Sequence, residues 1–197
     1  MDQVSRRALL ARAGIGTGAG VVALLGGAAA PALAAPGEGD LANARLICSS
    51  KRLMINWYTR WLNTGKAIGL STTRELVLDI RQHELVHYGL LTPLLGTTAP
   101  VDDDFTFTLP AGALRNPVAA AKFALDLENL VLGIAIGAAA TTQDSGVAES
   151  IARIAGSDGQ HMGALSALTG ASPVPTDLPA SFGVVDASTQ LSKFLSN

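Results

Sequence analysis

The sequence predicts an all-α fold, an antiparallel four-helix bundle with one long crossover between its second and third helices. Three observations carry this expectation. Four segments, residues 40–63, 71–95, 117–140 and 145–168, repeat apolar side chains at helical spacing. The connection between the second and third, GTTAPVDDDFTFTLPAGALRNP, is long for a compact domain but suits a bundle with a single crossover. Each apolar stripe also carries a polar residue near its middle, in positions that periodicity assigns to the core.

Composition agrees with a packed domain. The chain has 197 residues, 48% hydrophobic and 15% charged, which excludes general disorder. Part of that hydrophobicity belongs to the N-terminus, where SRRALL at Ser5 to Leu10 is followed by the apolar run GIGTGAGVVALLGGAAAPALA. A twin arginine, an apolar stretch and a small-residue A-x-A site ending at Ala34 read as a twin-arginine export signal over residues 1–34. The glycines and Pro31 weaken the competing reading as a retained membrane anchor, so no stable anchor is expected after cleavage. The expected location is the periplasm, the cell wall or the exterior.

Loss of residues 1–34 removes Arg6, Arg7, Arg12 and Asp2, which takes the formal net charge from −2 to −4. Such a balance argues against nucleic acid as a partner, while a homo-oligomer stays open. The single cysteine, Cys48, can form no internal disulfide, and its place among apolar residues fits a buried, inert thiol.

In chain order, the first segment begins near Asp40, a candidate cap, and turns Leu41, Ala44, Ile47, Cys48, Lys51, Met54, Ile55, Tyr58, Trp61 and Leu62 to one side. The second opens on STTRE, where Ser71 to Glu75 read as a capping box, and its stripe is Leu76, Val77, Ile80, Glu84, His87 and Leu91. Pro93 is expected to kink or close its end. Within the crossover FTFTL is read as an extended strap over the bundle in preference to a strand. Pro117 opens the third segment, whose face holds Ala121, Ala124, Leu125, Glu128, Val131, Leu132 and Ala135. The fourth aligns Ile151, Ile154, Asp158, His161, Leu165 and Leu168. Residues 169–197 form a proline-containing extension expected to end in a short helix.

The chemistry concentrates in RQHELVHYGLL, residues 81–91. His83, Glu84 and His87 spell H-E-x-x-H, the helix of a zinc protease, with Glu84 as general base. The extended form of that motif fails, because Leu90 stands where it needs glycine and Pro93 where it needs histidine. The same letters contain E-x-x-H, the unit by which carboxylate four-helix bundles hold metal. Residues three apart share a helical face, so Glu84 aims with His87 and Asp158 with His161. Lys51 and Glu128 stand at the matching depth in the first and third segments, an echo that suggests two related hairpins. His83 lies about 40° around the helix from His87. That position suits a residue supporting a ligand, or facing solvent, better than a ligand itself.

FALDLENLVLGIAIGAAA followed by IARIAGSDGQHMGALSAL resembles the second half of the bacterial and plant ferritin-like family that includes desiccation-related proteins. The resemblance covers about residues 40–168, and weakly VPTDLPASFGV in the tail. It implies a glutamate from the first and third helices and E-x-x-H from the second and fourth, six side chains around two metals. Glu84, His87, Glu128 and His161 stand unchanged, Asp158 replaces a glutamate, and Lys51 replaces the glutamate of the first helix. A protonated lysine has three donors and no acceptor, so it cannot ligate a metal. It can instead compensate buried carboxylates.

Three outcomes follow: one iron, manganese or zinc ion on the remaining ligands, a metal-free polar core pinned by Lys51, or two metals with Lys51 turned aside. The expected protein is an exported ferritin-like bundle that holds at most one metal or none, serves in stress protection or metal handling, and is more readily a binding protein than an enzyme. The zinc protease is the alternative, although it leaves Asp158 and His161 unexplained.

Overall fold

The computed structural model describes residues 36–174 and 179–196. The expected export signal, residues 1–34, lies outside them. Four long helices make the bundle: α1 (Glu38–Asn63), α3 (Ser71–Leu95), α4 (Pro117–Thr141) and α5 (Ser145–Thr169). A single-turn helix α2 (Gly65–Ile68) links α1 to α3, and α6 (Val184–Leu191) follows the bundle. Short connections force α1 against α3 and α4 against α5 as two antiparallel hairpins, and the long crossover joins them. The four predicted segments are therefore the four bundle helices, with ends within two residues of expectation.

Two expected caps are not used. Gly37, not Asp40, is the N-cap of α1. Asp40 is buried in the first turn, where its carboxylate accepts the Gln143 and Asp144 N–H groups at 2.7 and 2.9 Å. Asn43, one turn further on, donates to the hydroxyls of Thr141 and Thr142. The start of α1 thus closes the α4–α5 turn from across the bundle, and two free backbone donors explain why the carboxylate leaves its own helix end.

The capping box of STTRE is also absent. Leu70 is the N-cap of α3 and makes no side-chain cap bond. The helix begins at Ser71, so Ser71 stands one position and Glu75 two positions too late for the reciprocal bonds. Other caps follow the sequence: Asn116 accepts the Ala119 N–H ahead of Pro117, and Asp144 accepts those of Gly146 and Val147. Pro93 lies in the last turn of α3, which ends two residues later.

The crossover differs from a simple strap. Thr106–Phe107 (β1) pairs antiparallel with Leu195–Ser196 (β2), so part of FTFTL is a strand whose partner lies at the far end of the chain. The alternating pattern allowed a strand, but nothing local could supply the second one. Tyr88 donates to the Pro100 carbonyl and Arg52 to Asp102, both anchoring the crossover to the bundle.

Helix α4 is apolar enough to suit a membrane span by length and composition. Within the bundle that surplus has a use, because α4 is packed by α1, α5 and α6, and the tail lies along its glycines. The Phe182 N–H donates to the Gly133 carbonyl at 3.1 Å, and a Cβ at Gly137 would lie 1.9 Å from the Phe182 carbonyl oxygen. Only hydrogen fits there. Gly137→Val should cost about 1–3 kcal/mol as an overpacked site, seen as a melting temperature several degrees lower and earlier proteolysis of the tail. Gly156 meets nothing, so Gly156→Ala should instead stabilise its helix. Unchanged melting of Gly137→Val would remove the tail from this groove.

Candidate metal centre

Each bundle helix delivers one part of a polar cluster. Lys51 comes from α1, Glu84 and His87 from α3, Glu128 from α4, and Asp158 and His161 from α5. Lys51, Glu84, Glu128 and Asp158 have no solvent exposure, and His87 and His161 are almost as deeply buried. Helical periodicity alone turned these side chains inward, but their grouping depends on how the four stripes meet.

The cluster has two halves that share Glu84 and Asp158. In the first, Lys51 Nζ donates to both Asp158 oxygens, at 2.8 and 2.7 Å, and lies 3.0 Å from Glu84 Oε2. His87 Nδ1 flanks this pair, 3.4 Å from Asp158 Oδ1 and 3.6 Å from Glu84 Oε2. In the second, His161 Nδ1 lies 3.3 Å from Glu128 Oε1 and 3.4 Å from Glu84 Oε1. Tyr58 donates to Glu128 Oε1 at 2.6 Å. One ligand atom each from Glu84, Glu128, Asp158 and His161 falls within 4.8 Å of the others. His87 stands beside this group, on the lysine side.

HELVH is divided by the same geometry. Glu84 and His87 face the cluster, while His83 is exposed and its Nδ1 lies 3.0 Å from His161 Nε2. The two histidines of the zinc-protease spelling therefore meet different groups. Glu84, its would-be base, is fully buried between Lys51 and His161. His83 meets the cluster through His161 alone. Tyr58, which sequence reasoning could assign no role, bonds a candidate ligand; its position seven residues after Lys51 on the α1 stripe was the available signal.

Burial and charge set the protonation. Burial works against the Lys51 ammonium, but Asp158, Glu84 and Glu128 outweigh it and hold its pKa above the ordinary lysine range. Burial would raise the Glu84 carboxyl, yet Lys51 and the two imidazoles bring it well below the carboxylate range. Burial and the Glu84 charge push Glu128 up to about 7, against the opposing pull of the His161 ring beside it. Burial opposes the His161 charge, and the Glu128 and Glu84 carboxylates 3.3 and 3.4 Å from Nδ1 overcome this to raise it to about 10. His87 is also raised, against burial, by the neighbouring carboxylates of Asp158 and Glu84. His83 is lowered by burial and by its two histidine neighbours. Outside the cluster, burial pushes the Cys48 thiol up to about 12, as an inert thiol requires.

These states balance without an ion. Lys51 cancels Asp158, the His161 imidazolium cancels Glu84, and one proton held between Glu128 and His87 leaves those two neutral together. If His87 takes the proton in place of Glu128, the total is the same.

The donor set fits one metal. Glu84 Oε1, Glu128 Oε2 and His161 Nδ1 are buried without an aligned hydrogen-bond partner. Oxygen and imidazole ligands about 2.0–2.2 Å from one ion stand roughly 3.0–3.5 Å apart, which matches the separations around His161 Nδ1. An ion that displaced the Glu128 and His161 protons would leave the cluster neutral again. It does not fit two. A second divalent ion would meet the Lys51 ammonium and leave two uncompensated positive charges in a site without solvent.

A bundle of four long helices joined by one long crossover, with carboxylates and imidazoles gathered at its centre, defines a carboxylate-bundle protein of the helical class. Residues 40–171 match the family model of the ferritin-like domain, and the chain belongs to that family. Comparison with curated proteins finds no match.

Proposed function

We propose that this protein is an exported ferritin-like bundle whose remodelled centre holds at most one transition-metal ion and exchanges it for protons, acting in metal handling or stress protection. The observation that carries the reading is the Lys51 ammonium seated 2.7–3.0 Å from Asp158 and Glu84. A fixed cation there serves as permanent compensation for two carboxylates and leaves Glu84, Glu128 and His161, with Asp158 beside them, as the ligands of a single ion. Iron, manganese and zinc all accept such oxygen and nitrogen donors. Such an ion would supply a local positive charge and a Lewis acid. Around it Lys51 holds Asp158 and Glu84 in place, Tyr58 orients Glu128, and burial excludes water. Paired-ion redox chemistry needs a second ion where Lys51 stands, so storage, sequestration or a structural role suits this arrangement better than catalysis.

Export rests on SRRALL and the A-x-A site, and the stress role rests on the resemblance to the desiccation-related branch of the family. The test is metal analysis of the purified, folded protein after separate loading with iron, manganese and zinc. No more than one ion per chain is expected, and two per chain would defeat the reading.

A further inference from the structure

Of the three histidines, His83 alone is not drawn into the buried cluster. Its side chain is exposed, one residue before Glu84 on α3, and its Nδ1 lies 3.0 Å from Nε2 of His161 on α5. The ring centres are 5.3 Å apart and the planes differ by 17°. A nitrogen contact of 3.0 Å reaches that separation only when both nitrogens lie on the line joining the ring centres. The two imidazoles are therefore nearly coplanar and meet end to end, in a straight N–H···N hydrogen bond.

Among the described residues this is the only aligned hydrogen bond of the His161 ring. Its Nδ1 is buried, faces Glu128 Oε1 at 3.3 Å and Glu84 Oε1 at 3.4 Å, and is aligned with neither. An imidazole can turn by half a revolution about its last side-chain bond, so loosely directed contacts do not fix which edge faces inward. The straight bond to His83 does fix it. A half-turn would put Cε1 against His83 and Cδ2 against the carboxylates, and lose the bond.

The same contact decides where the ring proton sits. A ligating Nδ1 must offer a lone pair, so the proton that remains on the ring has to be on Nε2, with an acceptor beside it. Histidine in water favours a proton on its own Nε2, which leaves His83 Nδ1 free to accept. Burial and the charges of His161 and His87 lower His83 below the ordinary histidine range and keep that lone pair available.

We propose that His83 is a positioning residue for the centre: by accepting from His161 Nε2 it pins the ring with Nδ1 turned toward Glu84 and Glu128, in the tautomer that can ligate an ion. HELVH then supplies a candidate ligand in Glu84, a flanking imidazole in His87, and in His83 a group that acts across the helix pair on α5. A hydrogen bond of this kind behind a ligating histidine sustains metal affinity. The effect on affinity rests on the single-ion reading of the centre; the pinned ring does not.

Two variants of similar size separate the acceptor from the bulk of the side chain. Asparagine places an oxygen close to where histidine has Nδ1, and leucine places a methyl group there. Zinc affinity, measured by competition with a chelator, should fall about 10–100-fold in His83→Leu and return to within about threefold of the wild type in His83→Asn. A role in stability alone would lower the melting temperature without separating the two variants by acceptor. Equal affinity in the wild type and His83→Leu, or His83→Asn no better than His83→Leu, would overturn the positioning role. Nuclear magnetic resonance of the metal-free, nitrogen-labelled wild type should find the proton on His161 Nε2 and a scalar coupling across the hydrogen bond to His83 Nδ1. A proton on His83 Nδ1, or uncoupled rings, would overturn the proposal as well. If the coupling is found and no protein binds zinc, the single-ion centre fails and the pinned ring stands.

Discussion

Lys51→Met is expected to destabilise the protein by about 3–5 kcal/mol, because it leaves Asp158 and Glu84 buried without their cation. The lysine reaches both carboxylates at 2.7–3.0 Å with no solvent exposure, so neither water nor salt can replace it in the folded state. Part of the loss should be recovered by protonation. Carboxylates freed of Lys51 bind protons more readily in the native state than the unfolded chain does, so the variant should lose less stability at pH 5 than at pH 8. Denaturant unfolding at the two pH values measures this. A variant as stable as the wild type at both would mean that the ion pair contributes nothing to the fold.

Lys51→Glu asks the complementary question about the metal. It restores a carboxylate where the family pattern has one, and adds a fourth acid to a cluster that was neutral. Without metal the variant should be less stable than the wild type. With iron or manganese in excess it should bind a second ion and recover, because two divalent ions then meet four carboxylates. Metal content rising from at most one to two ions per chain is the expected result. Unchanged content would show that the geometry around Asp158, one methylene shorter than glutamate, no longer admits a pair.

The second large effect concerns pH. Glu128 titrates near 7 and His161 near 10 in the metal-free cluster, and an ion must displace a proton from each. Below about pH 7 both protons are present, so affinity for zinc should rise about 100-fold per pH unit. Between about 7 and 10 only the His161 proton remains to be displaced, and the gain should fall to about tenfold per unit. Both groups are raised above their ordinary values by folding. Through them metal-free stability is greatest at low pH and is lost as pH rises through about 7 and then about 10, while metal binding strengthens over the same range. Competition of zinc against a chelator at pH 6, 7 and 8 measures the slope. A flat profile would exclude Glu128 and His161 as the groups an ion displaces.

Much of this centre was legible from local pattern. Glu84, His87, Glu128, Asp158, His161 and Lys51 all interrupt apolar stripes at one depth, and a period of 3.6 residues is enough to turn each inward. Their grouping around His161, and the seating of Lys51 on Asp158 and Glu84, were not legible. Those contacts join helices more than seventy residues apart in some cases, as Lys51 and Asp158 are. Caps failed for a related reason. A serine or aspartate near a helix start has several donors within reach, and Asp40 found better ones on the α4–α5 turn than in its own helix.

The sequence by itself determined four amphipathic helices, the long crossover, the apolar face of each helix and the kinds of charged group that face inward. These follow from periodicity and residue chemistry, which act over one or two helical turns. Tertiary structure alone decided that Lys51 fills one half of the centre, that His83 meets His161 at the surface, and that the crossover pairs with the C-terminus while the tail occupies the glycines of α4. The physical reason is distance: ion pairing, ligand spacing and strand pairing depend on separations held to within a few tenths of an ångström between residues far apart in the chain. Only the packing of whole helices sets those separations.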